Sequence, residues 1–227
     1  MSTPEKKWVK PLGIIVIIFA IIGLVFAIVA AVSAIKDTVF DKTSEKLEYQ
    51  KMLVPVVMND IDEFDDVTKA KMTQLIEVSV WAIIKSDIGT DEYTTEEGYI
   101  IIPENDVKDN FIKLFGTDVE IEHQSVYSNA FEIEYDAEKQ GYKIPITGVE
   151  ATYVPKVLEI TKKSDTIILT VAYLSGSDWV QDEHGNIVEP DASKYVKITL
   201  REKNKSYYIG AIQPTNAPET LEEKQKK

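Results

Sequence analysis

Residues 12 to 35 read LGIIVIIFAIIGLVFAIVAAVSAI, without one charged side chain. A helix of that length rises ~1.5 Å per residue to about 36 Å, more than the roughly 30 Å of a hydrocarbon core. The run therefore predicts a transmembrane helix, and everything after it is expected to be a tethered domain. Sixteen of its side chains are Leu, Ile, Val or Phe. At ~0.3–0.6 kcal/mol each, insertion gains at most roughly 5–10 kcal/mol. The run also outlasts the apolar stretch of a cleaved signal peptide, about 7–15 residues, so an uncleaved signal anchor is expected.

Orientation follows from layout. A short basic tail carrying Lys6, Lys7 and Lys10 precedes the run, and Trp8 stands at interfacial depth. Residues 1–11 are expected on the cytoplasmic side and the C-terminal domain outside the cell. The chain carries a net charge of -13, and its first 35 residues contribute +2, so the remainder carries -15. A domain this acidic suits the side away from the anionic cytoplasmic leaflet. It also repels nucleic acid, and Arg201, the only arginine, leaves little means for bidentate phosphate recognition. With no cysteine, disulfides, thiolate catalysis and Cys-based zinc sites are excluded.

Within the anchor, Ala20, Gly23, Ala27, Ala30 and Ala34 recur at spacings of 3, 4, 3 and 4. They share one helix face and would admit a second helix, which makes self-association a candidate property. Ala and Gly are also common in membrane helices generally.

Beyond the membrane, residues 36–52 read as a charged helical stalk ended by Pro55. A folded domain is expected over 53–213 and a polar, disordered tail over 214–227. Helical spacing marks 67–85, with Asp66 as N-cap and Gly89 just past the end. Asn105 is expected to cap a second helix whose Val107, Phe111, Leu114 and Phe115 point inward, with Gly116 as its stop. From Val119 the pattern changes to period two. Strands are expected around His123, through Phe131–Tyr135 and Tyr142–Ile146, and over 152–160, 165–175, 194–202 and 206–213. Residues 176–193 form a long insertion. Helices followed by a meandering sheet read as α+β, with the long helix across a curved antiparallel sheet. That order resembles the cystatin-like and NTF2-like cone folds by fold-level analogy alone.

No catalytic motif emerges. His123 and His184 stand outside any zinc or triad spacing, and there is no GxSxG, P-loop or GxGxxG. The acidic stretch Asn59–Asp66 offers oxygen ligands, but Phe64 and Asp65 break the EF-hand pattern, so a solvated helix entry is expected. In the insertion, Asp182 and His184 flank a turn, and Trp179 either anchors a contact or folds back onto the sheet. Six strand tyrosines (Tyr135, Tyr142, Tyr153, Tyr173, Tyr195 and Tyr208) would line a pocket if they faced one side, or simply reflect β-propensity.

The strings VPVVMNDIDEFDD, VWAIIKSD, IIIPENDVKDNFIKLFGTDVEIEHQ, YKIPITG and YYIGAIQ resemble uncharacterised single-pass membrane-anchored proteins of clostridia-type Gram-positive bacteria. The resemblance implies a cell-surface location and transfers no catalytic residue, metal or cofactor. The expectation is a non-catalytic interaction or accessory module of the cell envelope, engaging another envelope protein. The alternative is a small-ligand binder or hydrolase with a concave pocket, which Trp81, Ile83 and Phe111 would close if they filled it.

Overall fold

The computed structural model describes residues 43–86, 89–128, 131–146 and 151–218. The apolar run 12–35, with Ala20, Gly23, Ala27, Ala30 and Ala34, lies outside the described residues. Among those described, no helix is long and apolar enough to cross a membrane.

The chain is α+β. Helix α1 covers 43–58, α2 Met72–Ile84 and α3 Glu104–Phe115. One sheet has four antiparallel strands: β6 (Tyr153–Lys163), β7 (Thr166–Ser175), β10 (Ala192–Lys203) and β11 (Ser206–Thr215), in the order β11-β10-β7-β6. A second has five: β1 (Thr94–Glu96), β2 (Tyr99–Pro103), β3 (Val126–Tyr127), β4 (Glu132–Asp136) and β5 (Gly141–Pro145), in the order β1-β2-β5-β4-β3. The strands thus divide between two sheets instead of forming one curved sheet. The insertion between β7 and β10 folds into its own hairpin, β8 (Val180–Gln181) with β9 (Ile187–Val188).

Alternation drives the larger sheet. Val157, Val171 and Val196 stand in one cross-strand row, and Leu169, Ile198 and Ile212 in the next. Every one of them is buried. Asn204 and Lys205, at φ 54° and 67°, make the two-residue left-handed turn that matches the twist of β10 and β11. Leu75 and Val78 of α2 pack toward this sheet with Phe111 and Phe115 of α3. Ile76, Val80 and Ile83 of the same helix pack with Ile102, Val107, Ile133, Tyr142 and Ile144 of the smaller sheet side. All residues from Leu75 to Trp81 are therefore buried, because α2 is covered on several faces. Ser79 is satisfied inside the helix, donating to the Leu75 carbonyl at 2.7 Å.

Both outer strands of the larger sheet are covered. On β6, a bulge at Leu158 interrupts the pairing with β7. There Gln50 Oε1 accepts from the Val157 amide at 3.1 Å, and Lys46 Nζ donates to the Leu158 carbonyl at 2.6 Å. Those two side chains are i, i+4 neighbours on one face of α1. On β11, Phe64 and Ile212 exchange both backbone hydrogen bonds at 2.9 Å. The segment entering α2 thus acts as a short fifth partner.

Several boundaries differ from expectation. The compact unit begins at Lys46 and not at 53. Pro55 lies inside α1, which runs on to 58. Asp66 caps a 3-10 turn, Val67–Lys69, accepting from the Thr68 amide at 3.0 Å, and α2 starts afresh at Met72. Helix α3 opens one residue before Asn105, with Pro103 at its N-cap. Residues 117–125 alternate in burial yet pair with no strand. Strand β11 continues through Thr215, past the expected start of the tail, and residues 219–227 lie outside the described set.

Candidate functional site

Chemistry in the insertion begins with one carboxylate. Asp182 accepts from the amides of His184 and Asn186, each at 2.8 Å, and from the Asn186 side-chain amide at 3.0 Å. These bonds, with the Asn186 side chain first, hold its carboxyl below the ordinary carboxylate range. Gly185, at φ 83°, completes the turn, and Gln181 Nε2 donates to its carbonyl at 2.8 Å. Asp182 is committed to building the tip, while His184 contributes its backbone amide to the turn. The exposed apolar side chains sit on the two strands and on the residue before β8. Trp179 is 36% exposed, Val180 60%, Ile187 72% and Val188 44%. Pairing of Val180 with Val188 puts those two on one face; Ile187, opposite Gln181, stands on the other. At the base, Glu189 is ion-paired with Lys156 of β6.

An isolated two-stranded hairpin is marginal in water, so four uncovered apolar side chains on one are not explained by its own stability. Trp179 stands out in the sequence of the insertion, whereas Val180, Ile187 and Val188 do not. The available signal was a pair of short β-branched steps on either side of His184-Gly185-Asn186.

His123 belongs to a different cluster. Its Nδ1 lies 2.9 Å from the Tyr142 hydroxyl, and its ring stacks on Tyr135 at 5.4 Å between centroids. Tyr135 donates to Glu104, which raises the Tyr135 phenol. Burial pushes the Tyr142 phenol up and holds the His123 imidazole below its ordinary range, with Glu104 opposing the latter. The cluster ties His123 to β4 and β5 of the smaller sheet, while Asp118, at the start of the same segment, is bound to Lys203 and Tyr208 of the larger one.

The six strand tyrosines do not converge. Tyr135 and Tyr142 join His123, Tyr153 packs on Tyr173 at 5.6 Å, and Tyr208 donates to Asp118 at 2.7 Å. Tyr195 is half-buried in β10. Four carboxylates of the acidic entry segment go to separate partners. Asp60 pairs with Lys194, Asp62 with Lys71, Asp65 with Gln213 and Asp66 with Arg201. Among the described residues, no group of three or more His, Asp or Glu side chains is arranged to hold a metal ion. Trp81, Ile83 and Phe111 are all buried and occupy the space among helices and sheets.

Glu77 is the one carboxylate that α2 carries into the interior, 8% exposed. Burial raises its carboxyl above the ordinary range, and a hydrogen bond from Ser128 opposes the rise. The folded state therefore holds this proton more tightly than the unfolded chain. Stability from this group is greatest at low pH and declines as pH rises from the unfolded value through the folded one. Glu77→Gln should accordingly raise the urea midpoint at pH 7, with the gain vanishing below pH ~4. An equal gain at both pH values would contradict this account.

No protein-family model, no curated protein and no solved structure matches the chain.

Proposed function

We propose that the α+β domain is a non-catalytic docking module of a bacterial cell envelope, held to the cell membrane by the 12–35 run with its bulk outside. The β8–β9 hairpin is its contact element. The observation that carries this reading is the exposure of Trp179, Val180, Ile187 and Val188 on an arm fixed at its tip by Asp182. Acidic Asp178, Glu183 and Asp191 share the insertion, so the matching partner surface is apolar with a basic rim. The cystatin-like or NTF2-like analogy draws on the four-stranded sheet with helices on its inner side.

The test replaces Trp179, Val180, Ile187 and Val188 together with serine in the full chain. Exposed positions alter folding little, by roughly 0.5 kcal/mol each, so thermal unfolding should move slightly. The unmodified chain, purified from solubilised membranes, should bring down one partner in fixed ratio, and the variant should lose it by at least tenfold. Equal recovery with both proteins, or no fixed-ratio partner with either, would reject this reading.

A further inference from the structure

On the helical side, away from the hairpin's residues, α1, α2 and α3 enclose a groove of about 530 Å³. Its apolar lining comes from Met52, Val54, Pro55, Ala82 and Leu114, and its polar lining from Lys51, Lys85, Lys113, Ser86 and Asn110. Six lysines and Arg201 hold carboxylates within 3.0 Å elsewhere in the domain, as Lys194 does Asp60 and Lys203 does Asp118. Among the described residues, no ion pair engages Lys51, Lys85 or Lys113, and no carboxylate lines the groove. In a chain of net charge -13, three unneutralised cations around one apolar hollow are a local reversal of sign.

Helix dipoles explain part of it. Lys113 is in the last turn of α3, and Lys85 is the C-cap of α2, where cations are favoured. Lys51 sits inside α1, away from either end, and has no such reason to be there. Pro55, four residues on, lacks the amide that would bond the Lys51 carbonyl, and both residues line the groove.

We propose that this groove binds a small anionic amphiphile: an apolar chain against Met52, Val54, Pro55 and Leu114, with a carboxylate or phosphate head held by Lys51, Lys85 and Lys113. Charge complementarity selects the head, since among the described residues no carboxylate pairs with these lysines, and Lys85 has only the Trp81 ring, 5.7 Å from its Nζ. The volume selects a small ligand, because it lies in the ~300–1,000 Å³ range of such sites. A docked helix, about 10–12 Å across with its side chains, would need a longer trough.

The test uses the full chain in nanodiscs of zwitterionic phosphatidylcholine, so that the bilayer supplies no anionic headgroup. The probes are a diazirine-bearing C12 fatty acid and the matching neutral alcohol, with labelled residues located by mass spectrometry. The acid should label the Met52–Pro55 segment and Leu114 at least tenfold more than the alcohol does. The triple variant Lys51→Gln, Lys85→Gln, Lys113→Gln should lose that preference. A control with Lys163→Gln, Lys197→Gln and Lys205→Gln, which has the same change of charge, should keep it. Equal labelling by acid and alcohol, retention in the groove variant, or loss in the control would overturn the proposal. So would labelling by the acid that an excess of an acidic amphipathic peptide displaces and unlabelled laurate does not. None of these readouts involves the hairpin, so the outcome is independent of the docking reading.

Discussion

Replacing Phe111 with alanine is expected to remove about 3–5 kcal/mol of stability, a large share of the ~5–15 kcal/mol that holds a domain together. Phe111 is fully buried on α3 and meets Phe115 edge to face at 5.6 Å between centroids. It packs in the cluster that joins α1, α2 and α3 to the larger sheet. The loss combines forfeited transfer energy with a cavity that rigid neighbours on three helices cannot collapse into. In urea, with a slope of ~2 kcal/mol/M, the midpoint should fall by roughly 2 M. Phe111→Leu should cost clearly less, because most of the volume stays. A fall below ~0.5 M for the alanine variant would show that α3 is not seated as described.

Gly116→Ala is expected to cost ~2–5 kcal/mol through two separable causes. At φ 77° and ψ -164°, the backbone of Gly116 occupies a region open essentially to glycine alone. A Cβ there would also lie 2.8 Å from the Tyr208 ring, which is held in place by the hydrogen bond from its hydroxyl to Asp118. Gly98 supplies the comparison: its φ is 86°, but nothing lies within 4 Å of an added Cβ. Gly98→Ala should therefore show the backbone cost alone. Combining Gly116→Ala with Tyr208→Ala should recover part of the steric cost, measured as a coupling energy in urea unfolding. Equal losses at Gly116 and Gly98, or strict additivity with Tyr208→Ala, would remove the ring contact from the explanation.

The strands of the larger sheet were readable because each buries one face, so period two survives in the sequence as Ile167, Leu169, Val171 and Tyr173. Helix limits were less readable, for reasons of tertiary contact. Pro55 costs α1 one hydrogen bond, yet Val56, Val57 and Met58 are buried and continue the helix regardless. The 67–85 periodicity concealed a break, because Phe64 is drawn onto β11 and Asp66 spends its cap on Thr68. Val119, Ile121 and His123 alternate like a strand, but side-chain packing, not a ladder, holds them. Of the hairpin, the sequence singles out Trp179 as either a contact or a residue folded onto the sheet, and nothing local in it signals the exposure of Ile187. Lys51, Lys85 and Lys113 come from three helices, and no local pattern brings them together.

The covered margins of the larger sheet bear on life at high density. Under the proposed membrane anchoring, copies confined to a plane would meet far more often than in bulk solution, and unpaired backbone is the usual route by which proteins stick and grow into fibres. Gln50 and Lys46 take up the backbone of Val157 and Leu158 on one margin, and Phe64 takes up that of Ile212 on the other. At those two points a neighbouring copy is denied the backbone pairing that seeds cross-β stacking.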